Sequence, residues 1–353
     1  MFVQNICAGE SRSFFVDQEG NVWMSGLGVG HEKDSTQPKK IANLPEIRAV
    51  SLNLRYPLFL EAEGFVIVLK KRFRNIPIIQ SISSNSFGVH SLLLDQSGVV
   101  WGLGGNMEGQ LGTAEQKNFT KPFPVPNLPP IKIIQAGSRH SHFLAFDGTV
   151  WACGFNVNGD LGLGDFAPRR TAVQITTLPK IESLSSAFHS LFLAEDGTVW
   201  SCGRNQYGEL GLGDKELRCK PTQITTLPKT IHLLSAGLSH SLFLCDTGKV
   251  WGCGSNHCCQ LGFSADLDKI KTPKKRKSRK IIRTLVAGAH HSLFVDEEGV
   301  VWGCGLNEHG ELGISGQSDG KQYSKLVELE GMPKIYVDLP QQTKSARTAN
   351  LSL

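Results

Sequence analysis

Apolar and polar residues alternate over short runs along nearly all of the chain. In SLFLAEDGTVWSCG (Ser190 to Gly203) two period-2 runs flank an Asp-Gly pair. That pattern predicts a β-hairpin: strands point successive side chains to opposite faces, and Gly supplies the positive φ of a two-residue turn. Asp147-Gly148 repeats the pair, while Glu19-Gly20, Glu63-Gly64, Ser97-Gly98, Thr247-Gly248 and Glu298-Gly299 keep the Gly. A second Gly-rich loop follows the hairpin. It reads NMEGQLG from Asn106, NVNGDLG from Asn156, NQYGELG from Asn205 and NEHGELG from Asn307, and Cys259 replaces Gly in NHCCQLG from Asn256. Its Leu is expected to turn back into the core. A Pro-marked strand comes next, as in KPTQITTLPKTIHLLSAG (Lys220 to Gly237), and leads into the following Ala-Gly. No helical periodicity interrupts the series.

The pattern recurs at a fixed period. Trp101, Trp151, Trp200, Trp251 and Trp302 are 50, 49, 51 and 51 residues apart, and Trp23 lies 78 before the first. Eleven residues ahead of these six Trp are Arg12, His90, His140, His189, His240 and His291. The same ruler places Tyr56 and Ile67 in the long gap, within YPLFLEAEGFVIVL, which has the hairpin but no Trp. Seven units of about four strands result, the second short and degenerate. A unit this small cannot bury both faces, so neighbours must stack. The fold class predicted is all-β, a seven-bladed β-propeller of four-stranded blades. Its ring is closed by pairing of the N-terminal MFVQNICAG with PKIYVDL (Pro333 to Leu339). One domain is expected over residues 1–340, with a polar, disordered tail over 341–353.

The units resemble the regulator of chromosome condensation repeat family. The resemblance rests on A-G-x-x-H-S-x-x-L in the strand and W-x-C-G-x-N-x-x-G-x-L-G after it. LSAGLSHSLFL (Leu234 to Leu244) is the cleanest copy, and coverage runs over about residues 3 to 338. Kelch repeats need a recurring Gly-Gly doublet and WD repeats an Asp after Trp, and neither is present. The resemblance implies a seven-bladed propeller. It also implies two kinds of work: nucleotide exchange on the Ran GTPase with chromatin docking, as in the founding member, or service as an interaction platform. In the founding member a hairpin projecting from one blade is the exchange wedge. The third to fifth units here carry no insertion that could form one.

Charge refines this picture. The formal net charge is +5, but nine bases fall between Lys269 and Arg283, and Lys70, Lys71, Arg72 and Arg74 form a second group. Outside these segments acids exceed bases, so the body is mildly acidic with two basic patches. The run KIKTPKKRKSRK (Lys269 to Lys280) departs most from the repeat; it falls where other units have a loop and the Pro-marked strand, and its charges are expected to keep it a solvated loop. Its PKKRK resembles a nuclear import signal, which makes a cytoplasmic or nuclear location the expectation, with the signal around Pro273 to Lys280. The same run is a candidate site for nucleic acid, chromatin or acidic lipid. The first residues lack a basic-then-apolar secretory pattern, and no apolar run reaches the roughly 18 residues of a membrane span. Nine Cys in that context point to free thiols in a reducing compartment.

No constellation singles out catalysis. The five aligned His (His90, His140, His189, His240, His291) each recur in one frame, so each is expected to do one local structural job, its ring nitrogen bonding a turn. Cys153, Cys202, Cys253 and Cys304 share a position on separate units, whereas zinc sites need pairs two to four residues apart. They read as small buried apolar residues. Trp101, Trp151, Trp200, Trp251 and Trp302 read as fillers between blades whose N–H needs a partner. GELGLGD, ending at Asp214, lacks the Lys-Ser/Thr of a phosphate loop. No catalytic residue, cofactor or metal is therefore expected. The expected function is a monomeric, non-enzymatic protein-interaction module that binds a protein partner through a loop-rich propeller face. The candidate contacts are Lys274, Lys275, Arg276, Lys277, Arg279, Lys280, Asp165 and Asp214. The alternatives are a guanine-nucleotide exchange factor for a Ran-like or other Ras-superfamily GTPase, and docking on chromatin or anionic lipid through the basic run.

Overall fold

The structure, a computed structural model, describes residues 6–28, 34–69, 71–314 and 322–335. Lys70, residues 315–321 of the Gly313–Lys325 stretch, 336–339 and the 341–353 tail lie outside them. The described chain is all strand and turn, in seven antiparallel sheets of four. Blade 1 holds β1–β4 (Ile6–Ala8, Arg12–Val16, Val22–Gly26, Ser35–Lys40), and blade 2 holds β5–β8 (Ile47–Leu52, Pro57–Glu61, Val66–Val68, Lys71–Phe73). Blade 3 holds β9–β12 (Ile79–Ser84, His90–Asp95, Val100–Gly104, Phe119–Pro124), and blade 4 holds β13–β16 (Ile131–Ala136, His140–Ala145, Val150–Gly154, Arg169–Gln174). Blade 5 holds β17–β20 (Ile181–Ser186, His189–Ala194, Val199–Gly203, Arg218–Gln223), and blade 6 holds β21–β24 (Ile231–Ala236, His240–Cys245, Val250–Ser255, Lys269–Lys275). Blade 7 holds β25–β28 (Ile282–Ala287, His291–Asp296, Val301–Leu306, Gln322–Glu328).

Each blade is a simple meander, so every strand pairs with its sequence neighbour. The first strands of the seven blades touch in a closed circle and line a central cavity of about 250 Å3. The x-Gly hairpin occurs in every blade with the Gly at positive φ, for example Gly148 at 82°, but as a three-residue loop and not the expected two-residue turn: Ala145 pairs with Thr149 across Phe146, Asp147 and Gly148. The same glycine fixes the next blade. The Gly148 carbonyl accepts from Ile181 N at 3.0 Å, and the Gly20, Gly98 and Gly248 carbonyls accept from Ile47, Ile131 and Ile282. At the seam Gly299 accepts from Ile335 N at 2.8 Å, so Ile335 takes the position that opens a first strand. It packs in one apolar cluster with Ile6, Ala8 and Phe15 of blade 1. The two ends of the propeller thus meet. Residues 1–5 and 336–339, where strand pairing was expected, lie outside the described residues.

No blade owns a core. The buried side chains fall into seven clusters, and each is shared by two adjacent blades. One joins Leu92, Leu94 and Val100 of blade 3 to Ile134 and Phe143 of blade 4. Another joins Leu191 and Val199 of blade 5 to Leu234 and Phe243 of blade 6. Burial at roughly 25 cal/mol per Å2 of apolar surface therefore stabilises junctions, not single sheets.

The long loop between third and fourth strands adds a second inter-blade layer. Its Leu (Leu111, Leu161, Leu210, Leu261, Leu312) is buried in every case. Its Gly lies against the fourth strand of the next blade. A Cβ on Gly159 would sit 2.5 Å from Cys219 Cα, and one on Gly208 would sit 2.6 Å from Lys271 Cα. This close approach, together with positive φ, is why glycine recurs there. Blade 2 lacks the loop: only two residues, Leu69 and Lys70, separate β7 from β8.

Two glycines of one loop separate these effects. Gly208 and Gly213 both have positive φ, at 87° and 91°, but a Cβ on Gly213 meets nothing nearer than Thr272 Oγ1 at 3.8 Å. Gly213→Ala is expected to cost about 1 kcal/mol from backbone strain alone. Gly208→Ala is expected to cost a further 1–3 kcal/mol or so from overpacking against blade 6. Urea midpoints of the two variants check this, and equal destabilisation would contradict the inter-blade contact.

Candidate functional site

The five aligned histidines, which open the second strands of blades 3 to 7, are at most 2% exposed. Each places Nε2 against a serine hydroxyl of the following blade. The pairs are His90–Ser141 (3.0 Å), His140–Ser190 (3.3 Å), His189–Ser241 (2.7 Å), His240–Ser292 (2.9 Å) and, across the seam, His291–Ser13 (3.0 Å). Each serine in turn donates to a carbonyl in the long loop of the histidine's own blade: Gln110, Asp160, Glu209, Gln260 and Glu311, at 2.6–2.9 Å. A hydroxyl has one proton, and the carbonyl takes it. The histidine must therefore donate from Nε2–H, which fixes the neutral tautomer. The Nδ1 atoms of His90, His189 and His240 have no partner. The expected bond to a turn is thus a bond to a serine that itself clamps a loop. Each thiol also approaches the shared carbonyl: Cys153, Cys253 and Cys304 place Sγ 3.4 Å from Gln110, Glu209 and Gln260 O. Ser25 plays that part at 3.1 Å from Glu311 O. The cysteines are buried and act as small weak donors, with burial pushing their thiol pKa values up.

Two junctions lack this relay. In blade 1 Arg12 stands for His, and in blade 2 Tyr56 and Pro57 stand for His-Ser. Between blades 2 and 3, Asn53 Nδ2 reaches Ser91 Oγ at 3.3 Å instead.

The tryptophans are half-buried between blades, each in a cluster shared with the preceding one. Trp23, Trp101 and Trp302 donate Nε1–H to Asp17, Asp95 and Asp296, and Trp151 and Trp200 donate to Thr149 and Thr198. Asp165 and Asp214 end their loops and face Arg169 and Arg218 four residues on. They also meet the loop asparagines: the Asp165 carbonyl accepts from Asn156 Nδ2, and the Asp214 carboxylate from Asn205 Nδ2. That geometry closes the loop.

The basic run is corrected by the structure. It is no free loop. Lys269 to Lys275 form β24, whose Pro273 occupies the Pro-marked position of the outer strand, and Lys274 and Lys275 stand opposite Gly252 and Trp251. Arg276 is 7% exposed and unavailable to a partner. It fills the apolar slot held by Ile175 and Ile224 in blades 4 and 5, with its guanidinium 5.0 Å from the Phe294 ring. A receptor reading Pro273 to Lys280 as an extended chain would have to strip β24 from β23. Lys274 lies over Phe263, Lys275 over Trp251 and Lys280 over Trp302, so the stems cover aromatic rims while Lys274 and Lys275 keep their charges in water. Lysines on an outer strand also guard an open sheet edge. The strand follows from the run's place in the repeat, where KTPKK aligns with CKPTQ of blade 5; the charge density favours a loop.

Sequence reasoning missed a groove between blades 2 and 3. About 610 Å3 in volume, it is lined by Tyr56, Phe73, Met107 and Phe119, with Arg55, Lys71, Arg139 and Glu108 at its polar points. No group of three or more potential metal ligands occurs among the described residues. The chemistry present is that of docking: loops, apolar spots and charges on a rigid ring.

A closed circle of seven meander blades with shared cores defines a seven-bladed β-propeller scaffold. Residues 97–144 and 196–244 match the regulator of chromosome condensation (RCC1) repeat, and residues 131–160, 231–260 and 282–311 match a second family model of that repeat. Residues 97–160, 196–260 and 282–311 thus carry repeats of this RCC1 type within the propeller. It is 34% identical over 112 residues to the human "Probable E3 ubiquitin-protein ligase HERC6", a stretch covering 30% of this chain and 11% of that protein. It is 32% identical over 97 residues to human "Protein RCC2", covering 27% and 18%. The chain thus spans less than a fifth of these relatives. The solved structure of Prp20p from Saccharomyces cerevisiae superposes with a TM-score of 0.77 at 21% identity, covering 94% of this chain and 87% of that one. That likeness is one of fold.

Burial sets the acid behaviour. It pushes His90 down to about 4 and His189, His240 and His291 down to about 3. These rings stay neutral when folded but take up protons when unfolded below about pH 6.5. Stability is therefore full above that pH and is lost as pH falls toward 3–4. His189→Gln keeps a donor for Ser241 but cannot titrate. Its unfolding free energy between pH 6 and 4.5 is expected to fall less steeply than wild type, by about 1.4 kcal/mol per pH unit. Chemical denaturation across that range checks it; an unchanged slope contradicts a neutral His189.

Proposed function

We propose that this propeller is a protein-interaction module without a catalytic centre of its own, whose partner docks on the face built by the long loops and the turns between first and second strands. The observation that carries this reading is the distribution of exposed apolar side chains. Met107, Val157, Phe166, Leu217 and Leu267 all stand on that face, at 37–57% exposure. Among the described residues only Ile78, Val99 and Phe146 stand out on the opposite, hairpin face. Exposed apolar groups on a rigid, loop-bearing rim are the signature of a contact surface. Lys274, Lys275, Lys277 and Arg279 on the blade 6 rim would add a salt-sensitive contact with an acidic partner.

The structure of Prp20p was described with its binding to Gsp1p and histones, and nucleotide exchange remains the alternative carried by that likeness. The described turns of blades 3 to 5 are three-residue hairpin loops, closed by the Asp95–Val99, Ala145–Thr149 and Ala194–Thr198 pairs, with no projecting wedge. Release of labelled GDP from a panel of Ras-like GTPases tests it directly.

Phe166→Asp/Leu217→Asp is expected to abolish capture of the partners retained from host lysate, with the melting midpoint unchanged. Phe146→Asp is expected to leave capture intact. Quantitative mass spectrometry of the retained proteins decides, and the reverse pattern would place docking on the hairpin face.

A further inference from the structure

The groove beside blade 2 has the shape of a missing part. At five junctions a long loop lies across the fourth strand of the next blade: Gly109 against Arg170, Gly159 against Cys219, Gly208 against Lys271 and Gly310 against Thr36, with Cys259 near Gln322 at the fifth. Blade 2 supplies no such loop, so the corresponding strand of blade 3, β12, is left uncovered. Phe119 and Thr120 of that strand form one wall of the 610 Å3 groove, and Tyr56 and Phe73 of blade 2 form the other. Leu69 and Met107 stand at its rim, 65% and 57% exposed.

The charges select what fits. The lining contains Arg55, Lys71 and Arg139 but a single acid, Glu108, which faces Arg139 at 3.9 Å. Arg55 and Lys71 are exposed and have no ion-pair partner among the described residues. Of the five loops that fill the equivalent space elsewhere, three place an acid before the buried Leu (Gly-Asp-Leu in blade 4, Gly-Glu-Leu in blades 5 and 7), and those of blades 3 and 6 place Gln there.

We propose that this groove takes an extended acidic peptide of a partner protein, with one bulky apolar side chain, in the place of the missing loop. The apolar side chain sits among Tyr56, Phe73 and Phe119, and the carboxylates meet Arg55 and Lys71. A groove of this volume holds one or two large side chains. The assignment rests on the docking face proposed above and adds to its contacts at Phe166 and Leu217 one separate groove with one ligand chemistry.

The test uses immobilised decapeptides in which acidic, basic and neutral residues surround a central Leu, Phe or Ala, probed with the full chain. The best binder is then measured by fluorescence anisotropy. Acidic peptides with Leu or Phe are expected to be retained and those with Ala lost. Arg55→Glu/Lys71→Glu, both at exposed positions, is expected to weaken the best peptide at least tenfold with its melting midpoint unchanged, while Phe166→Asp/Leu217→Asp leaves it intact. Retention of basic or neutral peptides in preference, retention of none, or equal binding by the charge-reversed protein overturns the assignment. So does sedimentation showing a dimer that Arg55→Glu/Lys71→Glu disperses, since a second copy would then fill the groove. The two readings fail separately. Partner capture that survives Phe166→Asp/Leu217→Asp contradicts the docking face, whereas peptide binding indifferent to Arg55 and Lys71 contradicts the groove.

Discussion

A single repeated hydrogen-bond chain registers this ring: a loop carbonyl accepts a serine proton from the next blade, and that serine accepts from a neutral histidine of the first. The chain ties three pieces of backbone, two in one blade and one in its neighbour, among buried side chains. One such bond contributes only about 0.5–1.5 kcal/mol net, but leaving a buried carbonyl unpaired costs about 1–3 kcal/mol. Apolar burial at the seven shared cores supplies the larger driving force and is indifferent to small slips. The relay is directional, so it fixes how each long loop sits on its neighbour. Five of seven junctions have it.

The exceptions are as informative as the rule. Blade 2 has neither the His-Ser pair nor the long loop, and its third and fourth strands are three residues each. Its neighbours still share apolar clusters with it: Phe14 meets Phe59 on one side, and Leu60 meets Ile82 on the other. Packing and backbone bonds such as Ile47 N to Gly20 O and Ile79 N to Gly64 O therefore carry these two junctions without the relay. The material removed from blade 2 leaves a groove on the face that the other loops fill. Degeneracy of a repeat and creation of a concave site are one event here, and the walls are held by intact blades on the blade 3 side.

Most of the architecture was legible because the repeat makes each signal five- to seven-fold redundant. The Gly of the hairpin, the His-Ser pair and the Leu of the long loop each recur in one frame, and an isolated copy would have meant little. The partner of His140 was not legible, since Ser190 is 50 residues away and only ring geometry brings them together. The basic run misled for the opposite reason. Nine charges outweigh one proline by eye, yet Pro273 and the alternation around it describe the same outer strand as Pro221 in blade 5. Arg276 is buried where other blades bury Ile, and composition carries no sign of that. The groove was invisible because it is an absence: the short gap between Val68 and Lys71 reads as a poor repeat, not as a site.

If the relay is what locks neighbours together, local stability should follow it around the circle. Native-state hydrogen exchange, resolved by strand, measures this directly. Amides of β5–β8 are expected to exchange through openings of lower free energy than those of β13–β24, which lie between relay-joined junctions. Equal protection of blade 2 and blades 4 to 6, or greater protection of blade 2, would show that packing alone holds the ring and would contradict the account.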